Sequence, residues 1–272
     1  ESTGLATDLF IQGDGFFLVG PKMESITSAE DAKRLSLSRV GNFEFGPDGY
    51  PHDGQGNEVY GFLTANTKAD GSLSDTAGTN GDAISTHLVP IRLPMKAVGD
   101  ATDPNATQPG EALFPGVGTD GYNDYPQVGT GADASTGDVI DYSSLKIDEN
   151  GRITCVNDDT EDPVTIGYIA LAKVDNPNGL QHTSGPYFTC GDAAGDITLS
   201  APGSSVTGYL NNQDDLGAQD LDEANRLSNA SSTALKPGFL EASGTDLATE
   251  FANMIIYQRG YQANTRIVTV TD

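Results

Sequence analysis

The chain has 272 residues, with 39 acidic against 14 basic side chains and a formal net charge of −25. A surface this acidic repels phosphate, which excludes nucleic acid as a partner and disfavours anionic membrane surfaces. Hydrophobic residues make up only 36%, while Gly and Pro contribute 33 and 14, so many turns and short strands are expected rather than a helical bundle, in one large or two modest domains.

No apolar run approaches the roughly 20 residues that a membrane span needs. The opening ESTGLATDLF has neither the basic nor the apolar region of a signal peptide, and without an initial Met it reads as a mid-chain start. The two cysteines, Cys155 and Cys190, are too few for a disulfide scaffold and belong to no C-x-x-C pair, so a zinc site is not expected. A single bridge and two unpaired thiols both remain open.

Leu9-Phe10-Ile11 and Phe16-Phe17-Leu18-Val19 read as two strands around a tight Gly13-Asp14-Gly15 turn. A similar unit follows at Asn42-Phe43-Glu44-Phe45, Pro47-Asp48-Gly49 and Tyr50. Residues 64–82 are rich in Gly, Asp, Ser and Thr and read as a long loop. Pro90 to Pro94 is a short extended element, because each Pro disfavours helix in the residue before it. Residues 95–139 carry almost no apolar periodicity and read as a small irregular surface insertion. The strongest hairpin signal is Leu145-Lys146-Ile147-Asp148, Glu149-Asn150-Gly151, Arg152-Ile153-Thr154, where apolar and polar residues alternate around an Asn-Gly turn. Val164 to Val174 is β-branched and reads as one central strand. Residues 186–236 are polar, with one short helix expected near Leu221 to Leu227.

From Asp246 the pattern becomes helical, with Thr245 or Asp246 as the cap. Leu247, Phe251, Met254, Gln258, Tyr261, Thr265 and Val268 recur at the alternating spacing of four and three that makes a coiled-coil seam, and Ile255 widens the stripe. Such a seam packs either on its own β domain or into a longer coiled coil joining subunits. The helix stops in mid-pattern at Asp272, as a truncated chain would.

Nothing points to catalysis. His52, His87 and His182 are far apart, and the chain has no H-E-x-x-H, G-x-S-x-G or P-loop motif. Neither a cofactor nor a metal is expected. Placing Gly151 at position 6 of a calcium loop puts Lys146 and Asn157 where Asp and Glu are required. The acidic run Asp158-Asp159-Thr160-Glu161-Asp162 reads as a solvated hairpin tip. Phe10, Phe16 and Phe17, next to turns, read as core.

Five segments together resemble the flagellar hook and rod protein family. They are LFIQGDGFFLV (Leu9 to Val19), SRVGNFEFGPDG (Ser38 to Gly49), VPIRLP (Val89 to Pro94), GYIALAKVDNPNG (Gly167 to Gly179) and, most specific, PGFLEASGTDLATEFANMIIYQRGYQANTRIVTVTD (Pro237 to Asp272). They stand in the family's order and are spread from one end of the chain to the other. Ser243-Gly244-Thr245-Asp246 departs from the family's Ser-Asn-Val-Asp, and 20–37, 64–88 and 95–139 have no counterpart. The family's terminal coiled-coil segments are absent.

The resemblance implies a mainly β hook-type domain with a long C-terminal α-helix over about 245–272 and a small irregular insertion. Residues 1–94 would form the first part of the core, 95–139 the insertion, and 140–272 the second part. It implies a self-assembling subunit and not an enzyme. Its partners would be further copies of itself and other axial proteins of the rod, hook cap and hook–filament junction. It would be exported without a cleaved signal to the outside of the cell and would not insert into a membrane. Leu247, Phe251, Met254, Ile255 and Tyr261 are the packing candidates. Arg259, Gln262 and Asn264 are the candidates for polar assembly contacts. Some family members are crosslinked through Cys and Lys, which makes Cys155 a crosslinking candidate. The spacing from Pro94 to Ile147 suits a small hook protein better than a distal rod protein. The competing classes are a secreted acidic adhesin or phage-tail-like β protein, which leaves the C-terminal signature unexplained, and a secreted hydrolase, which lacks a motif.

Overall fold

The computed structural model describes residues 2–22, 26, 29–63, 66–67, 73–74, 88–103, 108–113, 117–118, 121–122, 135–200 and 233–241. All of them belong to one compact unit, Glu1–Glu241. The helices expected near 221–227 and over 245–272 lie outside the described residues.

The described chain is mainly β. Its first part lays down β1 (Asp8–Gln12), β2 (Phe16–Gly20), the single helical turn α1 (Ala29–Ala32), β3 (Ser36–Ser38), β4 (Gly41–Asn42), β5 (Glu44–Phe45), β6 (Pro51–His52) and β7 (Glu58–Leu63). Next come a two-residue hairpin, β8 (Asn66–Thr67) with β9 (Leu73–Ser74), and then β10 (Val89–Pro90). Within 95–139 lie β11 (Met95–Ala97), β12 (Ala112–Leu113), β13 (Val117–Gly118), β14 (Gly121–Tyr122) and β15 (Ser135–Val139). The rest is β16 (Tyr142–Ile147), β17 (Arg152–Asn157), β18 (Pro163–Ile169), β19 (Leu171–Val174), β20 (Gln181–His182), β21 (Tyr187–Thr189), β22 (Ile197–Ser200) and β23 (Ala234–Pro237).

The large sheet runs in the order β16-β17-β18-β7-β2-β3-β21-β20, with β10, β6 and β19 joining from the side. Its central strands are buried on both faces, which is why they read as continuous apolar runs instead of alternating ones. On β2, Phe17 and Val19 face one core and Leu18 the other. On β7, Val59 faces the first core and Tyr60 and Phe62 the second. The first core is closed by Leu9 and Ile11 of β1 and Leu235 of β23, the second by Ile26, Ala32 and Leu35. A three-stranded sheet, β23-β1-β4, therefore lies over one face of the large sheet.

Two hairpins form where the sequence places them. β5 pairs with β6, Glu44 opposite His52. β16 pairs with β17, Ile147 opposite Ile153, and the turn closes through Gly151 N–H on Asp148 O at 3.0 Å with Gly151 at φ 75°.

Three expectations are corrected. β1 and β2 do not pair with each other. Leu9, Ile11, Phe17 and Val19 all belong to one core, so the two strands stack face to face and the Gly-Asp-Gly turn is a corner between sheets. The run Val164 to Val174 is two strands. It breaks at buried Ala170, where the chain leaves β17 and β7 to pair with β2 and β22. The stretch 95–139 is not irregular throughout. β11 is flanked by β12 and β15, and β13 pairs with β14. Most of these strands have two or three residues, too few for a period-two signal.

Candidate functional site

Three of the recurring motifs meet at the small sheet. β23 runs antiparallel to β1 with Leu9 opposite Pro237 and Ile11 opposite Leu235. The pairing continues outward, as Thr3 N–H donates to Gly238 O at 2.9 Å, Gly238 N–H donates to Asp8 O at 2.8 Å, and Ser2 bridges Phe239. The first residues of the unit and its last residues before Ala242 thus lie side by side.

Arg39 fastens this junction. Its Nη1 donates to the carbonyls of Gly13 and Gly15, both at 2.9 Å, and its Nη2 to Ile11 O at 3.1 Å. Its Nε and Nη2 meet the two carboxylate oxygens of Glu241 at 2.9 and 3.4 Å. One planar guanidinium therefore ties the corner after β1 to the chain leaving β23, a task for which its rigid fork of donors is suited. Thr233 Oγ1 adds a bond to Asp14 O at 3.1 Å.

Beside Arg39, Gly41 has no room for a side chain. A Cβ there would lie 2.3 Å from Leu9 O and 2.8 Å from the Phe17 ring. That close approach lets Phe17 and Phe43 meet edge-to-face with centroids 5.0 Å apart. Three apolar side chains on these segments are exposed, Leu5, Val40 and Phe239 at 60%, 41% and 43%. Arg39 and Glu241 lie in two of the family-like segments, Ser38 to Gly49 and Pro237 to Asp272, and neither has a role legible in its own segment. Their opposite charges in two motifs about 200 residues apart were the available signal.

A second polar cluster holds the foot of the insertion. Lys96 on β11 pairs with Asp141 at 2.5 Å and Asp159 at 3.2 Å, and these carboxylates hold its amine above the usual lysine range. Asn157, buried, donates from Nδ2 to Gly110 O at 2.8 Å and accepts from Asp159 N–H at 3.0 Å. The acidic run 158–162 is thus more than a solvated tip.

Of the three aromatic core candidates, Phe17 is fully buried, while Phe10 and Phe16 are half-buried. His182 is exposed and meets the Phe188 ring edge-to-face, while His52 lies on β6 opposite Glu58 of β7, so the two histidines sit on different strands. Cys155 and Cys190 are not joined in a disulfide. Burial pushes the Cys155 thiol up to about 11, with nearby Asp158 adding to the shift, so it is a poor nucleophile and unsuited to crosslinking. Among the described residues no group of three His, Cys, Asp or Glu is placed to hold a metal, and no helix is long and apolar enough to cross a membrane. The packing candidates Leu247, Phe251, Met254, Ile255 and Tyr261, and the polar candidates Arg259, Gln262 and Asn264, lie outside the described residues.

Residues 236–272, which begin on β23 and continue past the Arg39–Glu241 clasp, match the family described as flagellar basal body rod FlgEFG protein C-terminal. The flagellar hook protein FlgE of Caulobacter vibrioides is 30% identical over 132 residues, 48% of this chain and 18% of that protein. Over these stretches the chain is similar to flagellar hook and rod proteins. The rod protein FlgG of Bacillus subtilis is 29% identical over 134 residues, 48% of this chain and 40% of the relative. The chain thus spans 18% and 40% of the length of these two curated relatives. The Helicobacter pylori flagellar hook protein FlgE2 superposes with a TM-score of 0.44 at 10% identity, over 89% of this chain and all of that one.

Proposed function

We propose that this chain is part of a flagellar hook subunit, which assembles with copies of itself into a curved, flexible tube that passes motor torque to the filament. The observation that supports this reading is that residues 2–5 and 238–241 run side by side at the Arg39 clasp. Ends that leave together can pair as terminal segments in an inner layer while the β unit lies outside. Heterologous contacts that do not close then generate an open helical tube. The exposed Leu5, Val40 and Phe239 at the same place supply apolar surface for a neighbouring subunit.

In this reading residues of about 245–272 form a helix. Leu247, Phe251, Met254, Ile255 and Tyr261 pack its seam against a partner helix. Arg259, Gln262 and Asn264 make polar contacts within or between subunits. Residues 1–94 and 140–272 build the core, and 95–139 face outward. The subunit travels through the flagellar export channel without a cleaved signal and meets other axial proteins of the rod, cap and junction.

A distal rod subunit is the second reading. It is favoured by the larger share of the matched rod protein that the alignment covers, 40% against 18% of the hook protein. Salt-induced polymerisation of the full-length protein, viewed by negative-stain electron microscopy, separates the two. Curved tubes are expected of a hook, short straight tubes identify a rod, and a protein that stays monomeric in every salt overturns both. Unchanged assembly of the Tyr261→Ala and Arg259→Ala variants would remove the roles given to the C-terminal helix alone.

A further inference from the structure

β16 is the end strand of the large sheet, and its six residues make it a long exposed edge. The unpaired N–H and C=O groups of such an edge are a template for a strand of another chain. Its ladder with β17 is interrupted. Tyr142 lies opposite Asn157 and Ser143 opposite Val156, and then Lys146 opposite Thr154 and Ile147 opposite Ile153. Ser144 and Leu145 therefore share the place opposite Cys155, which makes a β-bulge. Ser144 is the inserted residue. Tyr142 and Leu145 pack half-buried against the first core and Ile147 is buried in it, while Ser143 and Lys146 are exposed. Without Ser144 these five residues alternate in and out with no break. Ser144 itself is exposed and sits at φ 52°, a left-handed conformation that such bulges ordinarily give to Gly. A serine held there at a cost, in a strand that would be regular without it, points to a role outside the strand's own packing.

The other edges fit the same pattern. β20, at the far end of the large sheet, and β4, at one edge of the small sheet, have two residues each. At the other edge of the small sheet, Leu235 N–H of β23 donates to Glu149 O at 2.9 Å. β15, five residues at the edge of the insertion's sheet, is bulged as well: Thr136, Gly137 and Asp138, with Gly137 at φ 85°, stand where β11 has only Lys96. Among the described residues, the long edge strands are thus the bulged ones.

We propose that the Ser144 bulge guards β16 against strand addition by a second copy of this chain, so that copies meet through side chains and loops and not as one continuous sheet. The bulge bends the edge and breaks its row of donors and acceptors, and Lys146 beside it adds a charge that a pairing strand would have to accommodate. The guard goes beyond the assembly reading and does not depend on it, since it concerns a contact that is excluded.

Deletion of Ser144 tests it, because the deletion restores a regular strand and keeps the partners of Tyr142, Ser143, Lys146 and Ile147. The deletion variant should fold. At matched concentration and salt it should shift in size-exclusion chromatography from the wild-type position to dimers or larger species, with amide protection across Tyr142–Ile147 that rises with protein concentration. Ser144→Gly keeps the bulge and suits its φ, so it should elute with the wild type. A folded deletion variant that elutes with the wild type and gains no protection overturns the proposal. A deletion that prevents folding overturns it too, because the bulge then serves the fold itself. In salt-induced tubes of the wild type, the β16 amides should exchange as fast as in the monomer, and protection gained on assembly would sink the idea. If the wild type forms no tubes, the assembly reading fails while the deletion still decides the guard.

Discussion

The chain-end junction and the insertion foot are fastened by different physics. At the junction, Arg39 adds its fork to a backbone ladder and to side chains of Leu9, Ile11 and Leu235 that are fully buried. At the foot, three short strands rely on Lys96 between two largely exposed carboxylates and on one buried asparagine. Apolar packing and backbone bonds resist deformation, whereas exposed ion pairs re-form at little cost.

Breaking the junction sterically should have the largest effect. Gly41→Ala places a Cβ 2.3 Å from a backbone carbonyl, which only a shift of β4 away from β1 can relieve. A loss of about 3 kcal/mol in denaturant unfolding is expected. Removing the clasp comes next. Arg39→Met should cost about 2 kcal/mol, since it deletes charge-assisted bonds at a half-buried site. Arg39→Lys should recover less than half of that, because an ammonium cannot span three carbonyls and a carboxylate. Full recovery by lysine would show that charge, not fork geometry, holds the chain ends.

At the foot, Asn157→Ala should cost about 1–2 kcal/mol by leaving Gly110 O without its donor in a buried place. Faster amide exchange should be confined to residues 95–113 and the β17–β18 turn. Exchange spreading equally into β1 and β23 would contradict the separation of the two regions. Lys96→Met should have a smaller effect still, one that disappears at high salt as exposed ion pairs do.

The sequence was readable where local chemistry decides the outcome. The Asn-Gly turn between Ile147 and Ile153 and the Pro-Asp-Gly turn before Tyr50 appear as hairpins because loop residues alone set the register there. It was unreadable where partners are distant. That Gly13-Asp14-Gly15 is a corner depends on which faces of β1 and β2 share a core, and β1 takes its partner, β23, from more than 200 residues away. Arg39 was hidden for the same reason, since its fork is filled by carbonyls of one motif and a carboxylate of another. Asn157 stood out only as a mismatch to a calcium loop, because nothing local shows that Gly110 sits on it.

The finest test lies between the two regions, in the β6–β7 turn. Burial tends to raise the Asp53 carboxyl, but bonds from Tyr187 OH at 2.6 Å, from Asn57 Nδ2 at 3.1 Å, and from the N–H groups of Asn57 and Gln55 outweigh it and hold the group below the ordinary range. Its contribution is therefore complete above the unfolded value of about 3.9 and is lost as pH falls through the lower folded value. Glu58, five residues on, has the opposite sign: its folded carboxyl is raised, so its contribution is lost as pH rises. The two ends of one turn should thus give a stability maximum, with Asp53→Asn removing only the acid limb and Glu58→Gln only the alkaline one. Thermal unfolding from about pH 3 to 8 reads both limbs. If Asp53→Asn flattened the alkaline limb as well, the turn would titrate as one coupled unit and the two carboxyls could not be treated as independent.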